Sequence, residues 1–348
     1  MSVTRARGVL TGVVLRVALG AGLAVGCAAP GAWAQSGTPA GAPAARPSDG
    51  PSIETFMRIR TPGSPRLGAD GTLFVTDWPD GVVQVYRAPG PEARAGDEME
   101  RLTDFTDGVS GVSLSPDGRR MVVAHAVGGN ENTRLALLTP GERGTGVSGA
   151  TLTPLLGTPR VQTSLQTWLR DSTGFIARAN LDSPEDFHLY LVTLGAGPGD
   201  APEVKRVLSR PGSWGAADVT DDKRRALVGV YRSASDSEAF ELDLESGLLS
   251  SMSLTARTGG ATASITPVGY MPGERAVVLL TDAEQGVRRL LVRDLQTGRL
   301  TRPLAELSRF DIDDAAINDS RDMIAVVSNQ DGYGVLGVYT LPDFRPVA

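Results

Sequence analysis

Short apolar runs and polar turns alternate along the chain from about residue 64 to its end. Six turns of the Asp-Gly kind, or degenerate forms of it, each precede an apolar run rich in Val, Leu and Ile. They begin at Asp70, Asp117, Asp171, Asp221, Pro272 and Asp319, and the steps between them are 47, 54, 50, 51 and 47 residues. Runs of about five such residues bounded by turns are typical of β-strands.

Each turn belongs to a longer unit that repeats. A short strand precedes the turn, as over residues 109–115, and a third strand follows, as over residues 290–295. Several units add a polar turn, such as residues 296–298, ahead of a fourth strand. A four-stranded unit of about 50 residues repeated in tandem predicts an all-β fold, a β-propeller. We count six blades, over residues 64–105, 107–155, 163–208, 212–256, 262–306 and 309–346.

One segment has a helical pattern. Residues 53–60 favour a short helix with Ser52 as its N-cap, which we expect to pack onto the first blade. Few other segments have an apolar period of 3.6 residues, which argues against a solenoid of helical repeats. A propeller usually closes by pairing the two chain ends within one blade, but the sequence identifies no closing strand.

Composition narrows the class of protein further. The chain has 42 Gly and 23 Pro, with 41% hydrophobic and 5% aromatic residues, which argues against a helical bundle, a coiled coil or a wholly disordered protein. A net charge of −6 without a basic block predicts no nucleic-acid partner. The single cysteine excludes an intramolecular disulfide and every multi-cysteine metal site.

The first 34 residues have the pattern of a secretory signal peptide. Arg5 and Arg7 precede a mostly apolar run over residues 17–29, which is too short for a transmembrane helix. The sequence AWA at residues 32–34 matches a signal-peptidase site. We therefore expect cleavage after Ala34 and export to the periplasm or the medium.

Cys27 offers an alternative to soluble export. The sequence LAVGC at residues 23–27 resembles a bacterial lipoprotein cleavage box, and lipidation of Cys27 would anchor the chain to a membrane. Residues 35–50 consist mainly of Gly, Ala, Pro and Ser and predict a disordered linker. Residues 51–348 are then the propeller.

The second blade carries the most specific motif. The string RLTDFTDGVSGVSLSPDG at residues 101–118 resembles the N-terminal propeller of the prolyl oligopeptidase family of serine peptidases, of the acylaminoacyl-peptidase or dipeptidyl-aminopeptidase kind. GGNEN at residues 128–132, NQDGY at 329–333 and FMRIR at 56–60 add to this resemblance, which spans about residues 52–346. The shorter LSPDG repeat is also similar to WD40-like exported propellers, including the periplasmic propeller of the Tol system.

The resemblance implies that the catalytic part of such a peptidase is absent from this chain. In that family the chemistry takes place in a C-terminal α/β-hydrolase domain, whose nucleophile lies on a Gly-x-Ser-x-Gly elbow. GVSGV at residues 108–112 and GVSGA at 146–150 both lack the final glycine and lie inside the repeat. We therefore predict no catalytic residue.

Few other residues suggest chemistry. His125 and His188 would each need an activated serine and a carboxylate nearby to form a triad, and no spacing supports this, so we expect structural or surface histidines. Acidic residues at 311, 313, 314, 319 and 322 are a candidate Ca²⁺ site, but they lack the glycine-fixed turn of a dedicated loop. A solvated loop is the alternative, and we predict neither a metal nor a cofactor.

Two groups of residues are candidates for ligand or partner binding. Asn130, Glu131 and Asn132 follow two glycines, and either project toward a partner at one propeller face or form a tight hairpin. Large aromatic residues recur near blade loops or inner strands, and they either form a recognition surface or pack the blades together. These aromatic residues are Trp78, Trp168, Trp214 and Tyr333.

The sequence leaves alternative functions open, because fold alone does not decide among them. The first is a non-catalytic exported propeller that gates or docks a hydrolase domain supplied by another chain. The alternative is a free-standing periplasmic module of the Tol-propeller type that binds an envelope protein. An enzyme acting in the central funnel would need a metal or acid–base constellation that the sequence does not supply.

Overall fold

The computed structural model describes residues 52–347 apart from 58, 60–61, 69, 91–92, 94–97, 253, 255–261 and 284–285. Cys27, Ala34 and the linker over residues 35–50 lie outside the described residues. The described residues belong to two compact units, residues 52–59 to one and residues 62–347 to the other.

The first unit contains a short helix, α1 (Ile53–Met57). The backbone N–H of Thr55 lies 3.4 Å from Ser52 Oγ, in the arrangement of an N-cap. The predicted helix is thus confirmed over its first five residues, and its packing onto the first blade stays a prediction. In the described part of the chain, no helix has the length and apolarity needed to cross a membrane.

The second unit consists of six antiparallel sheets, each built from four strands that are consecutive in the chain. Blade 1 contains β1 (Gly63–Leu67), β2 (Leu73–Asp77), β3 (Gln84–Arg87) and β4 (Glu100–Arg101). Blade 2 contains β5 (Val109–Leu114), β6 (Met121–His125), β7 (Arg134–Thr139) and β8 (Thr151–Leu156), with one helical turn, α2 (Gly146–Gly149), between its last two strands. Blade 3 contains β9 (Thr163–Trp168), β10 (Gly174–Ala179), β11 (His188–Thr193) and β12 (Glu203–Leu208).

The other three blades follow the same order. Blade 4 contains β13 (Ser213–Val219), β14 (Arg225–Ser233), β15 (Asp236–Asp243) and β16 (Leu249–Ser251). Blade 5 contains β17 (Ile265–Tyr270), β18 (Ala276–Thr281), β19 (Arg289–Asp294) and β20 (Leu300–Thr301). Blade 6 contains β21 (Asp311–Ile317), β22 (Met323–Gln330), β23 (Tyr333–Thr340) and β24 (Arg345–Pro346). Short 3₁₀ segments lie at Pro272–Glu274 and Ala305–Leu307.

The six sheets form a six-bladed β-propeller, as the repeat predicts. The first strands of consecutive blades lie side by side, as β1 does with β5, β13 with β17 and β17 with β21. Because every sheet takes its strands from one continuous stretch of chain, no described blade combines strands from the two chain ends.

The hydrophobic core lies between the blades. Side chains alternate between the two faces of each strand, so blades 2 to 5 each supply apolar residues to both neighbouring blades. In β22, for example, Ile324 and Val326 pack toward blade 5, together with Leu280 and Leu290. Five clusters of this kind join blades 1 and 2, 2 and 3, 3 and 4, 4 and 5, and 5 and 6. Among the described residues, none of the buried clusters joins blade 6 to blade 1.

The repeated turns lie at one end of every sheet, which we call the turn face. Each connects the first and second strands of its blade and closes with a hydrogen bond between its first and fourth residues, as from Gly118 N to Ser115 O at 2.8 Å. The fourth residue always has a positive φ, between 56° and 80°. Glycine adopts this conformation without strain. These fourth residues are Gly71, Gly118, Ser172, Lys223, Glu274 and Arg321.

Candidate docking face

The hairpins that connect the second and third strands of the blades lie at the end of each sheet opposite the turn face. We call this end the loop face. Apolar and aromatic side chains project from this face. Val127, in the hairpin of blade 2, is 48% exposed, while Tyr231 in blade 4 is 58% exposed and Tyr333 in blade 6 is 77% exposed. Val83 in blade 1 is exposed as well. Apolar groups that face water on several blades are typical of surfaces that bind another protein.

The predicted loop in blade 2 belongs to the loop face. Asn130 and Glu131 are exposed, and Asn132 is half-buried. The Asn132 N–H donates to Asn130 Oδ1 at 2.9 Å, and the Gly128 N–H donates to Asp107 Oδ2 at 2.8 Å. The loop is therefore a hydrogen-bonded hairpin that also presents polar side chains to solvent.

Two of the four predicted aromatic residues are at the surface. Trp78 is half-buried in the hairpin between β2 and β3, and its backbone N–H donates to Asp77 Oδ1 at 2.8 Å. Tyr333 begins β23, directly after the hairpin of blade 6. Both lie on the loop face with the blade 2 hairpin, although they are far from it in the sequence.

The other two are buried between blades. Trp168 is 2% exposed; its indole N–H donates to Ser113 Oγ of blade 2 at 2.9 Å, and its ring meets Phe175 edge-on at 5.4 Å. Trp214 is buried in the core of blades 3 and 4, and its indole N–H donates to Pro211 O at 3.1 Å. Their burial favours the packing role over the recognition role for these two tryptophans.

The histidines occupy two different environments. His125 stacks on Phe105 with 4.2 Å between ring centroids, beside the hairpin of blade 2. Burial, together with the charge of Arg134, lowers the pKa of His125 below its ordinary value, so the imidazole is neutral near pH 7. His188 is buried, and its Nδ1 lies 3.5 Å from Asp182 Oδ2. Their observed neighbours are aromatic, cationic and carboxylate groups, which fits structural roles.

The acidic residues of blade 6 do not form one cluster. Asp311, Asp313 and Asp314 lie at the start of β21, at the loop face. Asp319 and Asp322 lie in the turn before β22, at the turn face. The described part of the chain contains no group of His, Cys, Asp and Glu side chains placed to hold a metal ion.

Charged side chains of both signs also lie at the loop face. The guanidinium of Arg178 lies 4.2 Å from the ring centroid of Phe187, and burial lowers its pKa from the usual range. Arg232 pairs with Asp236 at 3.1 Å and with Glu238 at 2.6 Å. The face thus combines exposed apolar groups with charges of both signs, as protein-binding surfaces do.

The turn face is different, because side chains there join neighbouring blades to one another. The Asp117 N–H donates to Ser172 Oγ at 3.0 Å, and the Asp221 N–H donates to Glu274 Oε1 at 2.6 Å. Lys223 forms an ion pair with Asp171. The residues with positive φ in blades 3 to 5 therefore bind the turn of the preceding blade.

Arg321 is the most buried charged residue at these turn positions, with 4% of its side chain exposed. Its guanidinium pairs with Asp218 at 3.2 Å, with Asp221 at 3.3 Å and with Glu274. Its Nη2 also donates to Val219 O at 2.8 Å. Burial disfavours the cation, but the carboxylates of Asp218 and Glu274 outweigh it and hold the pKa of Arg321 above its ordinary value. One arginine thus joins blades 4, 5 and 6.

Comparison with known proteins agrees with this architecture. No family model matches the chain, and no curated protein matches it. Among solved structures, prolyl oligopeptidase B from Galerina marginata, bound to a 35-residue substrate, matches 84% of this chain and 43% of its own, with a TM-score of 0.64 at 14% identity. Its apo form matches with a TM-score of 0.61 at 13% identity, over 84% of this chain and 44% of its own.

A third structure comes from a study of two prolyl endopeptidases and the role of inter-domain dynamics in their catalysis and specificity. It matches 84% of this chain and 42% of its own, with a TM-score of 0.60 at 16% identity. The chain therefore spans less than half the length of the solved structures it matches. The similarity confirms the predicted resemblance at the level of fold: the chain has a β-propeller of the kind that forms part of prolyl oligopeptidases.

Proposed function

We propose that this chain is a non-catalytic, exported propeller that docks a separate hydrolase domain through its loop face. The observation that supports it most directly is the exposure of Val83, Val127, Tyr231 and Tyr333 on that face. On the turn face, by contrast, side chains of successive turns bind one another. A surface whose polar groups already bind one another has fewer of them available to a partner.

The choice of partner follows from the comparisons. The matched peptidases are more than twice as long as the part that resembles this chain. In such proteins the propeller is joined to further chain, and one of the matched structures was analysed for the dynamics between its domains. We infer that a hydrolase domain of this type is the partner of the loop face. The alternative is that the chain is a Tol-like module that binds an envelope protein, and the tests below distinguish the two partners.

The docking proposal is tested with the catalytic domain of a prolyl-oligopeptidase-type enzyme from the source organism, purified as a separate chain. We expect binding by isothermal titration, and about tenfold weaker binding for Val127→Glu combined with Tyr231→Glu. A carboxylate introduced at an apolar contact must be desolvated without a partner, which disfavours the complex.

Leu248→Glu is the matched control, because Leu248 is an exposed apolar residue at the turn face. This variant should bind like the unmodified chain. Equal weakening by both sets of substitutions would show that the loop face is not the docking surface. Absence of binding by the unmodified chain would rule out this class of partner and leave the envelope protein as the partner to test.

Export makes a second, independent prediction. After expression in a bacterial host, intact mass and N-terminal sequencing should show a mature chain that begins at Gln35. Ala34→Arg should block this cleavage, because signal peptidase accepts only small residues there, while Cys27→Ser should leave it unchanged. A lipid-modified N-terminus at Cys27 would support the lipoprotein alternative, and a chain retaining Met1 would contradict export.

A further inference from the structure

Within the described part of the chain, the outer edge of β23 has no partner strand over most of its length. β23 runs over Tyr333–Thr340, but β24 pairs only with Tyr339 and Thr340. Along residues 333–337, no described strand lies beside β23 on this side. Residues 333–336 are all exposed. No described strand therefore pairs with the backbone groups of residues 333–337 on this edge.

This edge also lacks the features that usually protect an edge strand. Its sequence, YGVLG, has no charged residue and no proline, and Tyr333, Val335 and Leu336 are exposed apolar or aromatic residues. Blade 3 provides a contrast, since β12 pairs with five residues of β11 and carries Glu203, Lys205 and Arg206 at the edge. An uncharged, extended and exposed edge is a template for pairing with another strand.

Hydrogen-bond alternation identifies the free backbone groups. Val338 O accepts the Val347 N–H at 2.8 Å, so residue 338 directs its carbonyl away from β22. In an antiparallel ladder, the N–H and C=O of one residue point to the same edge of the strand, and the next residue points its groups to the other edge. Gly334 and Leu336 therefore direct their N–H and C=O groups to the open edge.

We propose that this edge pairs with the same edge of a second copy of the chain. The proposal does not rest on the docking function proposed above. The free segment has five residues, and Val335 is its middle one. Two copies that pair antiparallel over this segment place the two-fold axis at Val335. Gly334 of one copy then forms a hydrogen-bonded pair with Leu336 of the other. These are the two residues whose N–H and C=O groups point to the open edge.

The side chains of this segment are self-complementary in that register. Leu336 lies opposite Gly334 of the other copy, Tyr333 lies opposite Gly337, and Val335 meets Val335 on the axis. A symmetric dimer contact requires such a self-complementary patch. Because the segment is uncharged, no like charges meet along it. The register also brings Asp331 of each copy toward the exposed side chain of Arg345 of the other, which lies 3.4 Å from Asp343 of its own copy.

The test is sedimentation velocity of the full chain over a hundredfold range of concentration that reaches about 200 µM, without any partner protein. We expect a reversible dimer. Val335→Lys and Val335→Glu should each raise the dimer dissociation constant about tenfold, because like charges then meet on the two-fold axis. An equimolar mixture of the two variants should regain the affinity of the unmodified chain.

Leu248→Lys is the control, since it places the same charge on an exposed leucine at the turn face. Its dissociation constant should not change. A chain that remains monomeric at every concentration would overturn the proposal, as would a dimer that both Val335 variants leave intact. Recovery of dimer in the mixture would support the register, and failure of the mixture to recover would exclude a two-fold axis at Val335. Because no hydrolase domain is present, each result is independent of the docking test.

Discussion

Replacing Arg321 with glycine is expected to lower the free energy of unfolding by about 3–5 kcal/mol. Arg321 is buried and pairs with Asp218 and Glu274, which are themselves largely buried. Removing the cation takes the ion pair from Glu274 and leaves Asp218 with only Arg170, whose Nη2 lies 3.4 Å from its Oδ1. Removing one member of a buried ion pair is the costly way to break it. Glycine is the most informative substitution, because it adopts the observed φ of 56° without strain. Any loss of stability then comes from the side chain.

The measurement is equilibrium urea denaturation followed by tryptophan fluorescence. Lys223→Gly is the matched control, because Lys223 has the same position in the turn of blade 4 and a φ of 58°, but its side chain is exposed. Its surface ion pair contributes at most about 1 kcal/mol, and relief of the positive φ offsets part of this. Equal stability of the two glycine variants would contradict the role assigned to Arg321.

Hydrogen exchange adds a local test of the same network. Arg321 binds Val219 O in blade 4 and Glu274 in blade 5. Amide protection in these two turns should therefore fall in Arg321→Gly, while protection in blades 1 and 2 should be retained. Loss of protection spread evenly over all blades would indicate global destabilisation without a specific link between blades 4, 5 and 6.

The blades could be predicted from sequence because their signals are local. Turn residues and alternating apolar residues recur within each unit of about 50 residues, so one unit can be recognised from its neighbours. The degenerate turns at Asp171, Asp221, Pro272 and Asp319 fold as the first two turns do. There is a structural reason for the residues that replace glycine in these turns. A side chain at the fourth position binds the turn of the preceding blade, and glycine has no side chain to do so.

The links between turns could not be predicted, because their partners lie far apart in the chain. Arg321 and Asp218 are separated by 103 residues. The partner of a charged turn residue depends on how neighbouring blades are placed, and local pattern does not encode that placement. Val83 and Val127 were not among the predicted binding residues, because the local sequence does not show which apolar residues of a hairpin are exposed. An apolar residue directly beside glycine in a turn is the signal that would have identified Val127.

The tryptophans show how residue type alone leaves a role undecided. Trp78 and Trp168 are both candidate binding residues by sequence, but the structure places Trp78 in a surface hairpin and Trp168 in a core. Trp168 is the last residue of β9, at the strand end where Ser113 of the neighbouring blade accepts its N–H. Burial thus depends on which neighbouring strand covers a position.

Trp168→Ala is therefore expected to lower the free energy of unfolding by about 3–5 kcal/mol, the usual cost of removing a large buried aromatic side chain. The substitution leaves a cavity in the cluster that contains Phe175 and Val192, and it leaves the Ser113 hydroxyl without its donor. Because this cluster joins blades 2 and 3, loss of packing there weakens both. Urea denaturation measures the change, with Trp214 and the other tryptophans as fluorescent probes.

Two variants separate packing from recognition. Trp168→Phe retains a ring in the cluster and loses only the hydrogen bond and part of the volume, so we expect a loss of about 1–2 kcal/mol. Tyr333→Ala removes an exposed side chain and should change the free energy of unfolding by less than about 0.5 kcal/mol. A stable Trp168→Ala variant that had lost binding to the hydrolase domain would reverse the assignment, because a residue that only packs the core cannot lose binding without losing stability.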